Sequence, residues 1–312
     1  MTIFSFGSDP EFSVSNNNKI ISAIGIVPGH KKAKYLMNGH HFYYDNVLAE
    51  CNIKPGFNKQ ETIENIRDAI KTYLEVINPY ELNCIAAHDY DRNQLSHPDA
   101  LEIGCDPEWC CYTLKEYRPD REYFAKSRIR TAGGHIHIGH DLLKTVSSIN
   151  RYRFIRIMDL FVGIPSIFID SDPTAKIRKQ LYGDAGRFRK QAHGAEYRSL
   201  GNFWLQHPHL TELIYDLTEF AVQFLENEAD YDFWKIDLAT LKSDAWNEPG
   251  FDPARCHVCS YDVPQLIEAI KTHDREKAEP FMKIIQSRLP PELFQKILTT
   301  NAYSTNLRKN WE

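Results

Sequence analysis

Two histidines separated by one residue carry the clearest chemical signal in this sequence. They lie in residues 130–139, Arg-Thr-Ala-Gly-Gly-His-Ile-His-Ile-Gly, directly after a glycine pair. Side chains alternate between the faces of a strand, so His135 and His137 are expected on one face and the two isoleucines in a core. The glycines allow another backbone, or a phosphate, to approach closely. The segment indicates a metal or anion site, with the polar face of an ordinary strand as the alternative.

Acidic residues at similar spacing occur in three other segments. Asp9 and Glu11 flank a proline, Glu50 closes an apolar run, and Glu196 and Arg198 alternate with other residues. Charged groups among apolar strand residues are costly to bury unless they pair or bind a metal. Oxygen ligands with an occasional imidazole suit Mg²⁺ or Mn²⁺, whereas thiolates would suit zinc. The four segments together predict a divalent metal site built on a sheet.

The first acidic segment has an internal echo. Residues 6–12 read Phe-Gly-Ser-Asp-Pro-Glu-Phe, and residues 103–109 read Ile-Gly-Cys-Asp-Pro-Glu-Trp. In the second copy, Asp106 and Glu108 are candidates for lining a substrate pocket. Because Asp-Pro commonly begins a turn, an ordinary turn is the competing interpretation.

A basic segment lies between the histidine pair and the late Glu-x-Arg segment. Residues 178–189 contain several guanidinium groups together with Gly183 and Gly186. Arginine binds phosphate in a bidentate manner, so this pattern predicts a loop that grips phosphate, with Arg187 and Arg189 as the best candidates. The alternative is a solvated basic turn.

The composition is that of an ordinary globular protein. The 312 residues are 42% hydrophobic and 25% charged, which allows one large domain or two small ones. The net charge of −5 argues against non-specific nucleic-acid binding. No apolar run reaches the roughly 18 residues of a membrane span, so no membrane partner is expected.

The cysteine pattern favours free thiols. Seven cysteines are an odd number in a large cytosol-like chain, which argues against a disulfide framework. Cys256 and Cys259 form a Cys-x-x-Cys pair that can bind zinc or carry redox chemistry. A second clean pair is lacking, although Cys110 and Cys111 are able to supply one, so a structural zinc is the less favoured alternative.

Periodicity indicates which elements position these residues. Strands are predicted over residues 19–27, 39–52 and 127–139. Helices are predicted over residues 60–77, 149–169 with an interruption at Pro165, 211–228, and 262–289 with an interruption at Pro280. Since the strands cluster as hairpins, we predict an α+β fold with a mainly antiparallel sheet, followed by a largely helical part with few catalytic groups.

In this order, the segments resemble the glutamine synthetase-like carboxylate–amine ligases, and most closely the phage-type COOH–NH2 ligases (amidoligases). The resemblance spans residues 4–204, and its specificity comes from the ordered set of motifs. It implies a single glutamine synthetase-like amidoligase domain over residues 1–312. In that domain a motif-bearing, curved catalytic sheet flanked by helices (residues 1–204) precedes a mostly helical part (residues 205–312).

The resemblance also implies a role for each motif residue. The metal ligands are Asp9, Glu11, Glu50, His135 and Glu196. The ATP phosphates are contacted by His137, Arg187, Arg189 and Arg198, and the three arginines are also the catalytic candidates. The substrate contacts are expected from Asp45, which is a further candidate metal ligand, and from Asp106 and Glu108. Aspartate at position 9 departs from the glutamate that is usual in glutamine synthetase.

The reaction that the resemblance implies uses ATP and Mg²⁺ or Mn²⁺. The γ-phosphate of ATP passes to a carboxylate, and an amine then attacks the acyl phosphate to form an amide. The chain is shorter than true glutamine synthetase and is expected to lack its separate amino-terminal domain, so glutamine synthesis from ammonia is not implied. The acid and the amine are small molecules or protein side chains. The expected compartment is the cytoplasm, that of the bacterial host if the protein is phage-encoded.

Two other functions remain open for the same residues. One is a metal-dependent phosphotransferase or hydrolase that uses the carboxylate cluster. The other is an inactive virion or interaction protein, although an intact set of metal-type residues argues against it.

Overall fold

The computed structural model describes residues 4–102, 107–118, 120–144, 149–227, 234–236, 257–259, 261–300 and 303–311. Its strands in chain order are β1 Ser5–Ser8, β2 Glu11–Asn16, β3 Lys19–Ile21, β4 Gly29–His30, β5 Ala33–Met37, β6 His40–Asp45, β7 Leu48–Gly56, β8 Glu81–Asn83, β9 Ala87–Asp89, β10 Glu108–Cys110, β11 Glu116–Tyr117, β12 Ile129–Thr131, β13 Ile136–Gly139, β14 Arg187–Gln191, β15 Gly194–Tyr197, β16 Trp234–Ile236 and β17 His257–Cys259.

The α-helices within the described residues are α1 Lys59–Val76, α2 Arg121–Lys126, α3 Asp141–Lys144, α4 Ile149–Met158, α5 Ile164–Ile169, α6 Ala175–Leu181, α7 Pro208–Glu226, α8 Val263–Thr272, α9 Arg275–Gln286, α10 Pro291–Thr299 and α11 Leu307–Trp311. A π-helical turn, Asp159–Gly163, joins α4 to α5. None of these helices combines the length and the apolarity that crossing a membrane requires.

One large sheet organises the described strands. Thirteen of them join in it, and its main path runs β11-β10-β14-β15-β13-β1-β7-β6-β4-β5. The pairings are antiparallel except for a short parallel contact between β4 and β6. Strand β2 branches from β7 and also pairs with β3 and β8, while β9 pairs with β12 in a separate two-stranded sheet. The prediction of an α+β fold with a large, mainly antiparallel sheet flanked by helices is confirmed.

The core lies between this sheet and the helices. Ile136 and Ile138 of β13 are fully buried, as the alternation of the histidine segment predicted. Helix α7 packs against α1, α4 and the π-helical turn, and it buries Leu213, Leu217 and Ala221. The apolar face of the sheet is therefore covered by helices, which leaves the opposite face for polar side chains.

The predicted strand over residues 127–139 is wrong in one respect. It divides into β12, which pairs with β9, and β13, which joins the large sheet. Gly133 and Gly134 make the passage between the two sheets, and Gly133 forms an isolated bridge with Gly201. The glycine pair thus admits a second backbone and at the same time ends the strand.

Two interruptions predicted at prolines are also wrong. The helix does not end at Pro165, because the wider π-helical turn just before it accommodates the missing N–H group and α5 continues. Pro280 lies in the middle of α9. The break comes instead at His273, whose φ of 49° is left-handed, and at Asp274, which caps α9. The strands β16 and β17, which pair with each other, were not predicted in the helical part.

The predicted strand over residues 19–27 is shorter than expected. It ends at Ile21, and the backbone then forms a turn in which the amides of Ile26 and Val27 both donate to the carbonyl of Ala23. Tight i to i+3 and i to i+4 bonds of this kind are incompatible with a strand. The predicted strand over residues 39–52 divides at Asn46, whose φ is 59°, into β6 and β7, which pair with each other as a hairpin.

The four cysteines whose side chains the structure describes are free thiols. Cys51, Cys84, Cys110 and Cys111 are buried and form no disulfide. Burial raises the pKa of Cys51, Cys84 and Cys111 well above the usual thiol range, which keeps these side chains protonated. Cys256 and the side chain of Cys259 lie outside the described residues, so zinc binding there stays a prediction.

Gly134 is expected to tolerate no side chain. A Cβ atom there would lie 2.5 Å from Nε1 of Trp204 and 2.7 Å from the carbonyl oxygen of Gly201. Gly134→Ala should therefore lower the free energy of unfolding by about 1–3 kcal/mol, as overpacking does. Urea unfolding measures this change. Gly7→Ala is the matched control, because its nearest neighbours would be 3.5 and 3.6 Å away. An equal loss in both variants would contradict the steric account.

Candidate active site

Three adjacent strands bring chemical side chains into one row. His137 of β13 stands opposite Glu196 of β15, and Glu196 stands opposite Arg189 of β14. Directly opposed residues of an antiparallel pair project from the same face, so these three side chains meet. On the other side of β13, the opposed residue is Gly7 of β1, which has no side chain. The row is therefore open toward the end of β1, where Asp9 follows.

Asp9 lies between the two predicted histidines. Its Oδ1 atom is 3.0 Å from Nε2 of His137 and 3.2 Å from Nδ1 of His135. Glu196 completes the group, with its carboxylate oxygens 3.9 Å from His137 and 3.8 Å from His135. One donor atom each from Asp9, His137 and Glu196 lies within 4.8 Å of the others. The two imidazoles thus share one face, as the alternation predicted.

Several buried polar atoms in this group lack a hydrogen-bond partner among the described residues. They are Oδ1 of Asp9, Nε2 of His135, Nε2 of His137 and Oε2 of Glu50. Buried polar atoms are rarely left unsatisfied, so such a concentration points to a bound ion or ligand. The donor set consists of carboxylate oxygens and imidazole nitrogens without a thiolate, which fits Mg²⁺ or Mn²⁺.

A second carboxylate pair lies beside the first group. Glu11 of β2 stands opposite Glu50 of β7, and Glu50 stands opposite Tyr43 of β6. The Tyr43 hydroxyl donates to Oε1 of Glu50 at 2.5 Å. The backbone N–H of Gly133 donates to Oε2 of Glu11 at 2.6 Å, which connects this pair to the histidine segment.

The protonation tendencies at the site have clear physical causes. Burial raises the pKa of Glu11 to about 7, against the lowering effect of the Gly133 hydrogen bond. Burial and the neighbouring carboxylates Asp45 and Glu11 raise the pKa of Glu50 well above its usual range. Burial by itself would raise the pKa of Asp9, but His137 and His135 outweigh it and hold that pKa low. Burial and Arg198 lower the pKa of His135 to about 3, so its imidazole is neutral at pH 7.

Arg198 connects the carboxylates on the other side of the row. Its guanidinium contacts Glu196 and the Tyr182 hydroxyl, and its Nε atom is 3.3 Å from Oε2 of Glu108. Arg187 approaches the other oxygen of Glu108 at 3.7 Å and lies 3.7 Å from the ring centroid of Tyr117. Arg189 is 3.6 Å from Oε1 of Glu196.

The glycines of the predicted phosphate-gripping loop serve packing. Gly183 and Gly186 have φ values of 77° and 74°, and a Cβ atom would collide with Arg178 at the first and with Tyr112 and Cys111 at the second. Arg178 is itself buried and donates to the carbonyls of Ser199 and Arg198. The loop therefore positions β14, and Arg187 and Arg189 project from that strand instead of from the turn.

A cavity opens beside these groups and collects most of the predicted residues. Its lining comprises Asp9, Glu11, Lys31, Asp45, Asn46, Leu48, Glu50, Glu102, Phe124, Arg130, Thr131, His135, Tyr182, Arg189 and Arg198. Asp45 lies there with Lys31, whose Nζ atom is 2.5 Å from Oδ2 of Asp45. The predicted residues that do not line it are His137, Glu196, Arg187 and Glu108. His137 contacts the lining residue Asp9, and Glu196 and Glu108 contact the lining residue Arg198. Asp106 lies outside the described residues.

Several residues with direct contacts to the site were not predicted. The Gln191 side chain donates to Oε2 of Glu196 at 2.7 Å, Tyr182 contacts Arg198, and Tyr43 contacts Glu50. Gln191 has a sequence signal, because it continues the alternation of Arg187 and Arg189 on one face of β14. Tyr43 and Tyr182 have none, since their contacts depend on strand register and on the turn after α6.

Strand β15, which carries Glu196, is hydrogen-bonded to a buried aspartate on its opposite face. Asp159 of the π-helical turn is fully buried, and its Oδ1 atom accepts from the Tyr197 hydroxyl at 2.7 Å. Burial raises the pKa of Asp159 to about 7. Asp159 thus anchors the opposite face of β15 beneath the row.

This anchor is expected to make stability depend on pH. The folded-state pKa of Asp159 lies above its unfolded value, so its contribution is complete below pH 4 and is lost as the pH rises toward 7. Asp159→Asn keeps an acceptor for Tyr197 and removes the charge. The difference in the free energy of unfolding, Asp159→Asn minus the unsubstituted protein, should rise by roughly 2–4 kcal/mol between pH 4 and pH 8. Urea unfolding across this range measures the difference, and a constant difference would contradict it.

Comparison with known proteins supports the resemblance. Residues 125–240 match the family model described as phage phiEco32-like COOH.NH2 ligase-type 2. That region contains six of the site residues, namely His135, His137, Arg187, Arg189, Glu196 and Arg198. The resemblance to phage-type carboxylate–amine ligases, predicted from the ordered motifs, is confirmed over this region. Carboxylate–amine ligase is thus the class of enzyme to which the family match points.

The structural comparison is more distant. A bifunctional glutathione synthetase from Pasteurella multocida is 10% identical, with 95% of this chain and 51% of that chain covered and a TM-score of 0.39. The chain spans about half the length of that enzyme, and a similarity at this level carries no argument about function. Among curated proteins, none matches the chain.

Proposed function

We propose that this protein is an ATP-dependent carboxylate–amine ligase that requires Mg²⁺ or Mn²⁺ and forms an amide bond through an acyl phosphate. The observation that carries this proposal is the convergence of metal-type ligand atoms from Asp9, His137 and Glu196 beside Arg189 and Arg198. The family match over residues 125–240 supports it. The proposal includes a glutamine synthetase-like identity for the large sheet and its neighbouring helices.

The proposed metal ligands are Asp9, Glu11, Glu50, His135 and Glu196. We add His137, which was predicted to contact ATP phosphates, because its Nε2 atom faces Asp9 and Glu196. When bound, divalent ions would neutralise the phosphate charges and favour transfer of the phosphoryl group. Neutral His135 and ionised Asp9 are already in the states that such ligands require.

The arginines would bind the phosphates during transfer. Arg189 and Arg198 line the cavity, and a guanidinium donates two parallel hydrogen bonds to a phosphate. Tyr182 and Glu108 hold Arg198 from two sides, so that its guanidinium is oriented before the substrate arrives.

Hydroxylamine trapping tests this function. The protein is incubated with ATP, MgCl₂ and hydroxylamine, together with one carboxylate at a time from a panel of amino acids, mono- and dicarboxylic acids and short peptides. Hydroxylamine substitutes for the amine and converts an acyl phosphate into a hydroxamate. We expect ADP and hydroxamate in equal amounts, and neither product without the acid.

A pair of substitutions controls the assay. Glu196→Gln should form neither product, whereas Glu116→Gln, at an exposed residue of β11 that pairs with Arg118, should retain the activity. Formation of ADP without any acid would indicate an ATP hydrolase, and a stable phosphorylated product would indicate a phosphotransferase. Absence of ADP under every condition would contradict the proposed enzymatic activity.

A further inference from the structure

Arg130 is a buried cation on the cavity wall that the proposed chemistry does not use. Its side chain is about 5% exposed, yet it lines the same cavity as Arg189 and Arg198. It belongs to β12, which pairs with β9 in the separate small sheet. Arg189 and the strand before Arg198 belong to the large sheet. The cavity is therefore bordered by guanidinium groups from two different parts of the fold.

Within the described residues, the hydrogen bonds of Arg130 go to neutral acceptors. Its Nε atom donates to Oδ1 of Asn46 at 2.8 Å. Its Nη1 atom donates to the carbonyls of Ser127 at 2.8 Å and Ile129 at 3.1 Å. Its Nη2 atom donates to the carbonyl of Ala100 at 2.9 Å. These acceptors orient the guanidinium without neutralising it.

The other arginines at the cavity differ in this respect. Arg189 and Arg198 each lie within 4 Å of the Glu196 carboxylate, and Arg198 also lies within 4 Å of the Glu108 carboxylate. Within the part of the chain that the structure describes, no acidic side chain forms an ion pair with Arg130. A buried charge is costly unless it is paired, so the position is suited to an anion that arrives from the cavity.

The neighbouring wall indicates what kind of anion fits. Leu48 and Phe124 line the cavity together with Arg130, and they offer an apolar surface to a short methylene chain. Arg189 and Arg198, with the metal-type residues, lie on the wall that the large sheet contributes. A molecule reaching both walls would place one acidic group at each.

We propose that Arg130 binds a second, non-reacting carboxylate of the acid substrate. The substrate class is then the dicarboxylic acids and acidic amino acids, not the monocarboxylic acids. This inference rests on the proposed ligase function, because it assigns the reacting carboxylate to the arginines and metal ligands of the large sheet.

The test compares each diacid with its monoamide, which has nearly the same shape and one charge fewer. Hydroxamate formation is measured for succinate, glutarate, aspartate and glutamate, and for their monoamides. For the best diacid, kcat/KM should exceed that of its monoamide by about 30-fold or more, the effect of an unpaired buried charge. In Arg130→Met this ratio should fall to within about threefold of one, because the partner of the carboxylate is gone.

Arg128→Met is the matched control on the same segment. Arg128 is exposed and pairs with Asp89, so this variant should retain the ratio of the unsubstituted protein. Since Arg130 also supports three carbonyls, Arg130→Lys provides a variant that keeps the charge if the methionine variant fails to fold. The single ammonium of lysine should lower the ratio by about tenfold.

A binding measurement supplies a readout without turnover. Glutarate, added without ATP, should raise the Tm of the unsubstituted protein and of Arg128→Met but not that of the Arg130 variants, and glutaramate should have no effect on any of them.

The outcomes separate this inference from the proposed function. Equal turnover of diacids and monoamides, or an unchanged ratio in Arg130→Met, overturns the inference and leaves the ligase intact. If Arg130→Met raised the KM for ATP and not the KM for the acid, Arg130 would be assigned to phosphate binding, which would also overturn the inference. If no acid yields ADP and hydroxamate, the proposed function and this inference both fail.

Discussion

Asp9→Asn is expected to weaken Mn²⁺ binding by roughly a hundredfold or more, given that even supporting residues of metal sites contribute 10–100-fold. Asparagine has nearly the same shape as aspartate, so the packing around β1 stays intact. It carries no charge, however, and one of its two terminal atoms is an amide nitrogen that cannot bind a cation. The variant would also remove the anion that His135 and His137 share. Ligase turnover should fall by about 10²–10³-fold.

Calorimetric titration with MnCl₂ measures this loss directly. Asp141→Asn is a suitable control, because Asp141 is an exposed carboxylate whose partner is Lys144 at 2.9 Å, away from the cavity. Its Mn²⁺ affinity should equal that of the unsubstituted protein. An unchanged affinity in Asp9→Asn would show that the converging side chains do not hold the ion.

Arg198→Met is expected to lower the free energy of unfolding by about 3–5 kcal/mol, the loss that follows when one partner of a buried ion pair is removed. Arg198 is 3% exposed and lies against Glu108 and Glu196, both of which are also buried. Methionine fills much of the same volume, so the loss comes from two buried carboxylates that keep only the more distant Arg189 and Arg187 as cations. The activity should fall with the stability, because the same guanidinium lines the cavity.

Equilibrium urea unfolding measures this loss of stability. Two further variants test whether it comes from the buried ion pairs. Addition of Glu108→Gln to Arg198→Met should restore part of the stability, because it removes one of the uncompensated charges. Arg118→Met should stay within about 0.5 kcal/mol of the unsubstituted protein, since its partner Glu116 is at the surface. If Arg198→Met unfolded like the unsubstituted protein, the buried ion pairs would have no net role in stability.

The sequence indicates which residues belong to the site more reliably than it indicates which side chains they contact. Alternation places His135 and His137 on one face, and the fully buried Ile136 and Ile138 agree with it. The pairing of His137 with Glu196, by contrast, depends on which strands become neighbours and in which register. No local pattern encodes that register, because it is decided by packing of the whole sheet.

The errors in the predicted elements have a similar origin. Pro165 was expected to interrupt its helix because proline lacks an N–H group, but the sequence does not show that a π-helical turn will precede it. Gly133 and Gly134 were interpreted as allowing the close approach of another backbone or a phosphate. They also mark the point where the chain passes from one sheet to the other, which depends on β9 and Gly201 and so cannot be predicted from the local sequence. The helix predicted over residues 60–77 differs from the prediction by a single residue at each end, and the one predicted over residues 211–228 begins three residues and ends two residues earlier.

The position of β1 within the sheet has a consequence for how the protein acquires its fold. β1 lies between β7 and β13, and β13 in turn needs β15, so the strands that meet at the centre come from widely separated stretches of chain. Contacts of this kind close large loops before they gain any compensating energy, which slows folding. Partly folded molecules would expose unpaired edges of these strands until the last partner arrives. Refolding in dilute solution should accordingly be slow and prone to aggregation at high protein concentration.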